Sequence, residues 1–446
     1  MLKNFSTLLL IMLSSVVIAQ QKIVQFITLD PGHFHAALVQ NKTYNNVDSE
    51  VNVYAPAGQD LEDHLKRIES YNNRPNNPTH WKEVVCRGND FFEKMITEKK
   101  GNVLIIAGNN QKKTEYILKA AQAGINILGD KPMCIDAKGY ELLKKAFVEA
   151  KKKNILLYDI MTERSEITTV LQKELSQIPS IFGKLEKGTA ENPAIVTESI
   201  HYFYKYVSGS PLKRPTWFMD VSQQGEGIAD VMVHLVDLAH WTNFPNVTLT
   251  NNDVKLTSAK RWATPMTLSQ FSLITGAKQF PEFLKKDLKN DTTLNVFANG
   301  EINYSLKGVH TKLRALWNYS AAEGGDTHYS LLRGSKANLE IRQGKTENFV
   351  PQLYIQSNSL NENDLIGAFE KLKSKYEGIS LKKQGNEWLV EIPAKYRTGH
   401  EAHFGEVMER FLQYQAENKL PAWEVPNMLV KYYITTKALE MAKSSK

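Results

Sequence analysis

Short apolar runs alternate with amphipathic stretches over the first third of the chain. KIVQFITL, EVNVYA and NVLIIAG each have the length and β-branched content of a buried strand. INILG and NILLYDIM repeat the pattern further on. HAALVQ, directly after the first run, starts a helix. TEYILKAAQAG reads as a helix stopped by Gly124, because glycine accepts the left-handed turn that closes a helix. In DAKGYELLKKAFVEAKKKN, Leu142, Leu143, Ala146, Phe147 and Ala150 fall on one stripe, and Asp136 is placed to cap the first turn. Alternation of strands and helices predicts a parallel, doubly wound sheet.

After about Ser165 the pattern changes. The helix GIADVMVHLVDLAHW is followed by β-rich segments, among them KLTSAKRWA, TTLNVFANGEINYSLKGV, LRALWNYSA, THYSLLRGSKANLEIRQG and NEWLVEIPA. ANGE and RGSK are expected turns between runs. The tail from His403 reads as two helices around a proline-bearing loop. The expected fold is therefore α/β. A Rossmann-like domain spans residues 20–161, and an α+β domain with an open, mostly antiparallel sheet and C-terminal helices spans 162–446. The cleft between them, at the carboxyl ends of the parallel strands, is the expected site.

Composition narrows the class. The chain has 446 residues, 42% hydrophobic and 23% charged, with a formal charge of +7. No basic block exceeds three residues, which argues against a nucleic-acid surface. Residues 1–19 carry one lysine, an apolar stretch and small residues ending at Ala19, the pattern of a cleaved secretory signal peptide. The mature protein is expected to be exported, periplasmic or secreted, with no membrane association after cleavage. Two cysteines, Cys86 and Cys134, are too few for a disulfide scaffold and read as small core residues.

Three stretches carry chemistry. TLDPGHFHAALVQ sits where a dinucleotide fold places its G-x-G-x-x-G turn, yet Asp30, Gly32 and His35 occupy the glycine positions. Gly32 is the expected phosphate-facing residue, with His33 and Phe34 beside it. The second strand ends at Ala55, not at the acid that would bind ribose, which leaves NAD and NADP open. In GDKPM, Pro132 restricts Lys131 to an extended or turn conformation, and burial beside a nicotinamide would depress the lysine pKa. In GIADVMVHLVDLAHW, Asp230, His234 and Asp237 fall on one helix face. That stripe suits an acid/base histidine, a structural hydrogen-bond network or, less well, a metal. No H-E-x-x-H-like spacing occurs, so no metal site is expected.

Taken together, these motifs resemble the glucose-fructose oxidoreductase / inositol dehydrogenase / MocA superfamily, in a secreted branch with an extended C-terminal domain. Asp130-Lys131-Pro132 matches the family's Glu-Lys-Pro, and Asp230 and His234 match its D-x-x-x-H helix. Ile106 to Asn110 matches its strand ending I-A-T-P-N, and Lys113 replaces a frequent histidine. The resemblance covers nearly the whole mature chain; Asp30 and Ala55 depart from it. It implies a nicotinamide cofactor, NAD or NADP, held by Gly32, His33, Phe34, Ala107, Asn110, Lys131 and Pro132. It also implies catalysis by Lys131, His234 and Asp230 on a sugar or polyol hydroxyl.

Aromatic and polar groups in the second half suit a small carbohydrate or glycoside. His201, Lys205, Trp217, Asp237 and His328 are the expected substrate residues, and YRTGHEAHFGE is placed to return to the cleft. The open sheet offers a surface for a homo-oligomer. An exported enzyme has no general means of recycling free NAD(H), so a tightly bound cofactor and a closed redox cycle are expected. A glycosidase or lyase using retained NAD, and a non-catalytic carbohydrate-binding protein, are the alternatives.

Overall fold

The computed structural model describes residues 23–207, 210–321, 323–357 and 361–444. The expected signal peptide lies outside the described residues. The first domain is built on six parallel strands: β1 (Phe26–Leu29), β2 (Glu50–Ala55), β3 (Lys82–Arg87), β4 (Val103–Ile106), β5 (Asn126–Asp130) and β6 (Leu157–Ile160). Their spatial order is β3-β2-β1-β4-β5-β6, the doubly wound arrangement. Helices α1 (His35–Leu38), α2 (Gln59–Asn73), α3 (Phe91–Glu98), α4 (Asn110–Ala123) and α5 (Ala137–Lys153) connect them.

Local chemistry explains these elements. The Asp136 carboxylate accepts the Gly139 N–H (2.7 Å) at the start of α5. Gly124 closes α4 at φ 80°, donating to the Ala120 and Ala121 carbonyls. β1 and β4 are buried along their whole length, which is why they read as continuous apolar runs. β3 is an edge strand with a half-exposed, mixed pattern, so KEVVCR carries no such signal. Cys86 and Cys134 are unpaired; Cys134 is buried and Cys86 half-buried.

The second domain begins with α6 (Ile167–Ser176) and contains a ten-stranded sheet that is mostly antiparallel. Its strand β7 (Ile195–Tyr204) runs parallel to Val309–Ser320 and antiparallel to Thr327–Arg333. RGSK forms the expected turn between Thr327–Arg333 and Asn338–Gln343. ANGE does not turn: the strand Thr293–Leu306 passes straight through it. Gly300 is there for clearance, since a Cβ would lie 2.4 Å from Ile228 Cγ1. Two short elements, α7 (Val221–Gln224) and α8 (Met232–Asn243), bring the second domain up to the first.

The C-terminal helices do not stay with the second domain. His400–Glu417 buries Phe404, Val407, Met408 and Phe411 in the core of the parallel sheet. In Glu424–Ser444, Tyr432 joins that core, while Val430 and Ile434 join the core of the large sheet. The tail therefore packs against both halves. Among the described residues no helix is long and apolar enough to cross a membrane.

Candidate active site

The opening turn is closed by its own hydrogen bonds. Asp30 takes a positive φ of 46°. Gly32 N–H donates to the Asp30 carbonyl (2.8 Å), and His33 N–H donates to the Ala107 carbonyl (3.2 Å). These two amides are spent inside the protein, and α1 is a single turn. Gly32 faces a side chain, not open space: a Cβ there would lie 3.0 Å from Asp60 Oδ2 and 3.2 Å from the Trp217 ring. Trp217, expected on the substrate side, instead lies over this turn and donates its Nε1–H to Asp60 Oδ2 (2.9 Å). Gly108 is the glycine that the turn requires, because a Cβ there would sit 2.1 Å from the Asp30 carbonyl oxygen. Burial, with Asp60 nearby, pushes the Asp30 pKa up to about 6. Phe34 packs between the His33 ring (4.7 Å) and the Arg67 guanidinium (5.6 Å).

The next two strand ends carry the polar groups. Asn110 opens α4 and donates to the Gln224 carbonyl (2.7 Å), and Asn109 donates to Gln223 (2.6 Å). These bonds tie α4 to α7. β5 ends at Asp130, and the Lys131–Pro132 peptide is cis. Lys131 Nζ donates to Asp230 Oδ1 at 3.0 Å, with both side chains largely buried. Burial pulls the ammonium pKa down, but Asp230 and Asp130 outweigh it and hold Lys131 above its ordinary value. The expected depression is thus reversed, since a carboxylate now meets the lysine. Asp230 precedes α8 and turns to Lys131; it is not the partner of His234. Burial, reinforced by the Lys131 charge, holds the His234 pKa well below the usual value and leaves a neutral imidazole.

A second polar group lies on β7 and its neighbour. His201 Nδ1 (3.0 Å) and Lys205 Nζ (2.7 Å) both meet Asp326 Oδ2. Burial opposes ionisation of Asp326, yet these two partners hold its pKa down at about 2. His328 Nδ1 lies 2.7 Å from Ser199 Oγ. Burial, with His201, brings the His328 pKa to about 4. His201 packs on Trp317 (5.2 Å), and the buried Arg214 guanidinium lies over Phe218 (4.5 Å) and Trp317 (5.1 Å). Asp326 and Arg214 escaped the sequence reading. Asp326 lies just before the strand Thr327–Arg333 that carries His328.

Asp237 is corrected from a substrate group to a structural one. Its carboxylate is gripped by Arg164 at 2.6 and 2.7 Å and by Lys431 at 2.9 Å. Lys431 also pairs with Asp159 (2.7 Å), and Arg164 with Glu424 (2.7 Å). YRTGHEAHFGE does return towards the opening turn, with the His400 ring 5.4 Å from that of His35.

Residues 32–158 match the family described as "Oxidoreductase family, NAD-binding Rossmann fold", and residues 171–443 match the "Putative oxidoreductase C terminal domain". The crystal structure of a "putative oxidoreductase" from Parabacteroides merdae ATCC 43184 is 54% identical. It covers 96% of this chain and 99% of its own, with a TM-score of 0.93. The chain belongs to the Gfo/Idh/MocA oxidoreductase family. Its fold also resembles levoglucosan dehydrogenase in complex with NADH and L-sorbose, at 12% identity and a TM-score of 0.62, over 94% of this chain and 97% of that one. GenD2 from gentamicin A biosynthesis in complex with NAD shares the fold at 13% identity and a TM-score of 0.56, over 95% of each chain. No curated protein matches.

The family's cofactor domain fits this chain unevenly. Ala107, Asn110, Lys131 and Pro132 follow the ends of β4 and β5. Asn110 Oδ1 and His234 Nδ1 are buried without a partner among the described residues, as groups that await a polar ligand are. The residues there fit a nicotinamide. The opening turn departs from the family pattern: Asp30, Asp60 and Trp217 crowd the place of a phosphate-binding loop.

Proposed function

We propose that this protein is an exported NAD(P)-dependent oxidoreductase acting on a secondary hydroxyl of a sugar or glycoside, with its cofactor tightly held. The observation that carries this reading is the buried Lys131–Asp230 pair, joined across 99 residues where the two domains meet. Active sites are where burial and charged partners are arranged to shift ionisation.

The roles follow from charge state. His234, neutral through burial, accepts the hydroxyl proton. Lys131, kept as an ammonium by Asp230, hydrogen-bonds the same oxygen and stabilises the developing alkoxide. When bound, the nicotinamide supplies the hydride acceptor or donor. His201, Lys205, Asp326 and His328 line the sugar hydroxyls, and Trp317, buried behind His201, backs that ring. The His201–Asp326 pair is a second acid/base group, which favours one further reading: oxidation, elimination and reduction of a glycoside on retained NAD.

Two measurements test this. Mass spectrometry of the supernatant after denaturation is expected to find bound nicotinamide dinucleotide; its absence would favour a carbohydrate-binding protein without redox activity. His234→Ala should keep fold and cofactor content and lose roughly 100-fold or more in turnover. Wild-type turnover in that variant would overturn the assignment. Product analysis with a glycoside separates ketosugar formation from release of the aglycone.

A further inference from the structure

The buried carboxylate of Asp130 is unlike the protein's other buried acids. Asp237 and Asp159 meet Arg164 or Lys431. Among the described residues, Asp130 has no lysine or arginine on its carboxylate. Its neighbours are two imidazoles, with His35 Nδ1 at 3.0 Å and His33 Nδ1 at 3.8 Å from Oδ2. Its other oxygen, Oδ1, is buried with no partner. Lys113 approaches the residue but donates to its main-chain carbonyl (3.1 Å), leaving the carboxylate to the histidines. One ligand atom from each of His33, His35 and Asp130 lies within 4.8 Å of the others.

We infer that His33, His35 and Asp130 form a binding site for a divalent first-row transition metal ion. Two imidazoles and one carboxylate are a donor set for Zn²⁺, Fe²⁺, Mn²⁺ or Co²⁺. Metal–ligand distances near 2.0–2.2 Å require neighbouring donor atoms roughly 3–4 Å apart. The His35–Asp130 and His33–Asp130 separations already match this spacing. The rings are held almost perpendicular, with centroids 4.0 Å apart and planes at 85°. Apolar rings support them: Phe404 lies 4.6 Å from His35, and Phe34 lies 4.7 Å from His33. Such a surround limits water and fixes ligand orientation. His35 and Asp130 are almost fully buried, His33 retains some exposure, and the His35 backbone N–H reaches His33 Nδ1 at 3.4 Å, a contact that an ion would displace. Asp130 adjoins Lys131, so an ion here would act as a Lewis acid on an oxygen in the same cleft.

Three cations face the site, Lys113, Lys131 and, towards His35, Arg214. Lys131 is the nearest cation in sequence, and Asp230 pairs with it at 3.0 Å. The order of residues also explains why ligand spacing in the sequence gave no warning. His33 and His35 come from the turn after β1, and Asp130 ends β5, 95 residues further on.

The metal site shares the cleft with the proposed nicotinamide site, so its test reads the two separately. Untagged protein is stripped with a chelator, then titrated with Zn²⁺ and with Co²⁺. Bound ion is measured after gel filtration, and nicotinamide content is measured on the same samples. The expected result is a single tightly held ion and a visible Co²⁺ absorption band. His33→Ala and Asp130→Asn should each weaken binding by at least about 100-fold. The exposed His80→Ala should bind as wild type does. Equal ion uptake by wild type, His33→Ala and Asp130→Asn, or no uptake by wild type, would overturn the site. Circular dichroism identifies any variant that fails to fold; the wild-type titration and Co²⁺ band then decide alone.

Discussion

Asp230 and Asp237 stand seven residues apart on one segment, and both are buried beside a cation. Their surroundings differ. Asp237 is saturated: Arg164 and Lys431 grip it, and Asp159 and Glu424 complete the charge balance. Asp230 makes one ion pair among the described residues, to the largely buried Lys131. Near that lysine, Asn110, Asp130 and His234 each keep a buried atom unpaired. Both oxygens of Asp237 are bonded, which locks helices together, although Asp159 Oδ1 and Glu424 Oε2 beside it also lack a partner among the described residues. What sets Asp230 apart is its single ion pair in the cleft, which keeps bonding capacity for a molecule that arrives later.

The largest expected effect tests the Asp237 network. Asp237→Ala leaves Arg164 and Lys431 without a shared carboxylate and should cost about 3–5 kcal/mol in urea unfolding. Asp230→Asn keeps a hydrogen-bond acceptor for Lys131 but leaves its charge unpaired, and should cost less, about 1–3 kcal/mol. Equal losses in the two variants would erase the distinction.

Activity should divide the other way. Asp230→Asn is expected to lower turnover roughly 10- to 100-fold. It should also move the alkaline limb of the pH profile to lower pH. The Asp230 charge helps to hold the Lys131 pKa up, so its removal lets the ammonium deprotonate sooner. An unmoved alkaline limb would show that Lys131 is not the group being read.

Acid unfolding sharpens the same contrast. Burial lowers the His240 pKa to about 3, so its neutral form favours folding. That contribution is complete above the unfolded value of about 6.5 and is lost as pH falls towards 3. Asp237 is held below the usual carboxylate range despite its burial, by Arg164 and Lys431. Its contribution is present above an unfolded value of about 3.9 and is lost at still lower pH. Urea midpoints should therefore begin to fall below about pH 6.5. His240→Phe should flatten that first slope, and a variant with an unchanged slope would refute the assignment.

The smallest effect concerns the crowded turn. The Asp30 pKa is raised to about 6, so its carboxylate is charged at neutral pH and opposes a phosphate. Asp30→Asn should tighten dinucleotide binding several-fold above pH 6, on the order of 1 kcal/mol, and change little at lower pH. Equilibrium dialysis at two pH values checks this.

Much of the fold was legible because its signals are local. Fully buried strands leave apolar runs, Asp136 and Gly124 mark helix ends, and the strand–helix rhythm implies the sheet order. β3 was not, because an edge strand needs no apolar run. ANGE misled because Gly300 meets a steric demand from Ile228, which is remote in sequence. In the site, Lys131, Asp230 and His234 were readable through motif resemblance. Their pairing was not: the stripe implied Asp230 with His234, and the fold turned Asp230 to Lys131.

By itself, the sequence determined the doubly wound first domain, the β-rich second domain and the identity of the groups that meet between them. Those features follow from periodicity and residue type over short stretches. The tertiary structure alone decided which charges are saturated, which remain open, and that Trp217 guards the turn while Asp237 serves the interior. It also brought His33 and His35 to Asp130. Ionisation and ligand capacity depend on burial and on partners tens to hundreds of residues away, and no local pattern encodes either.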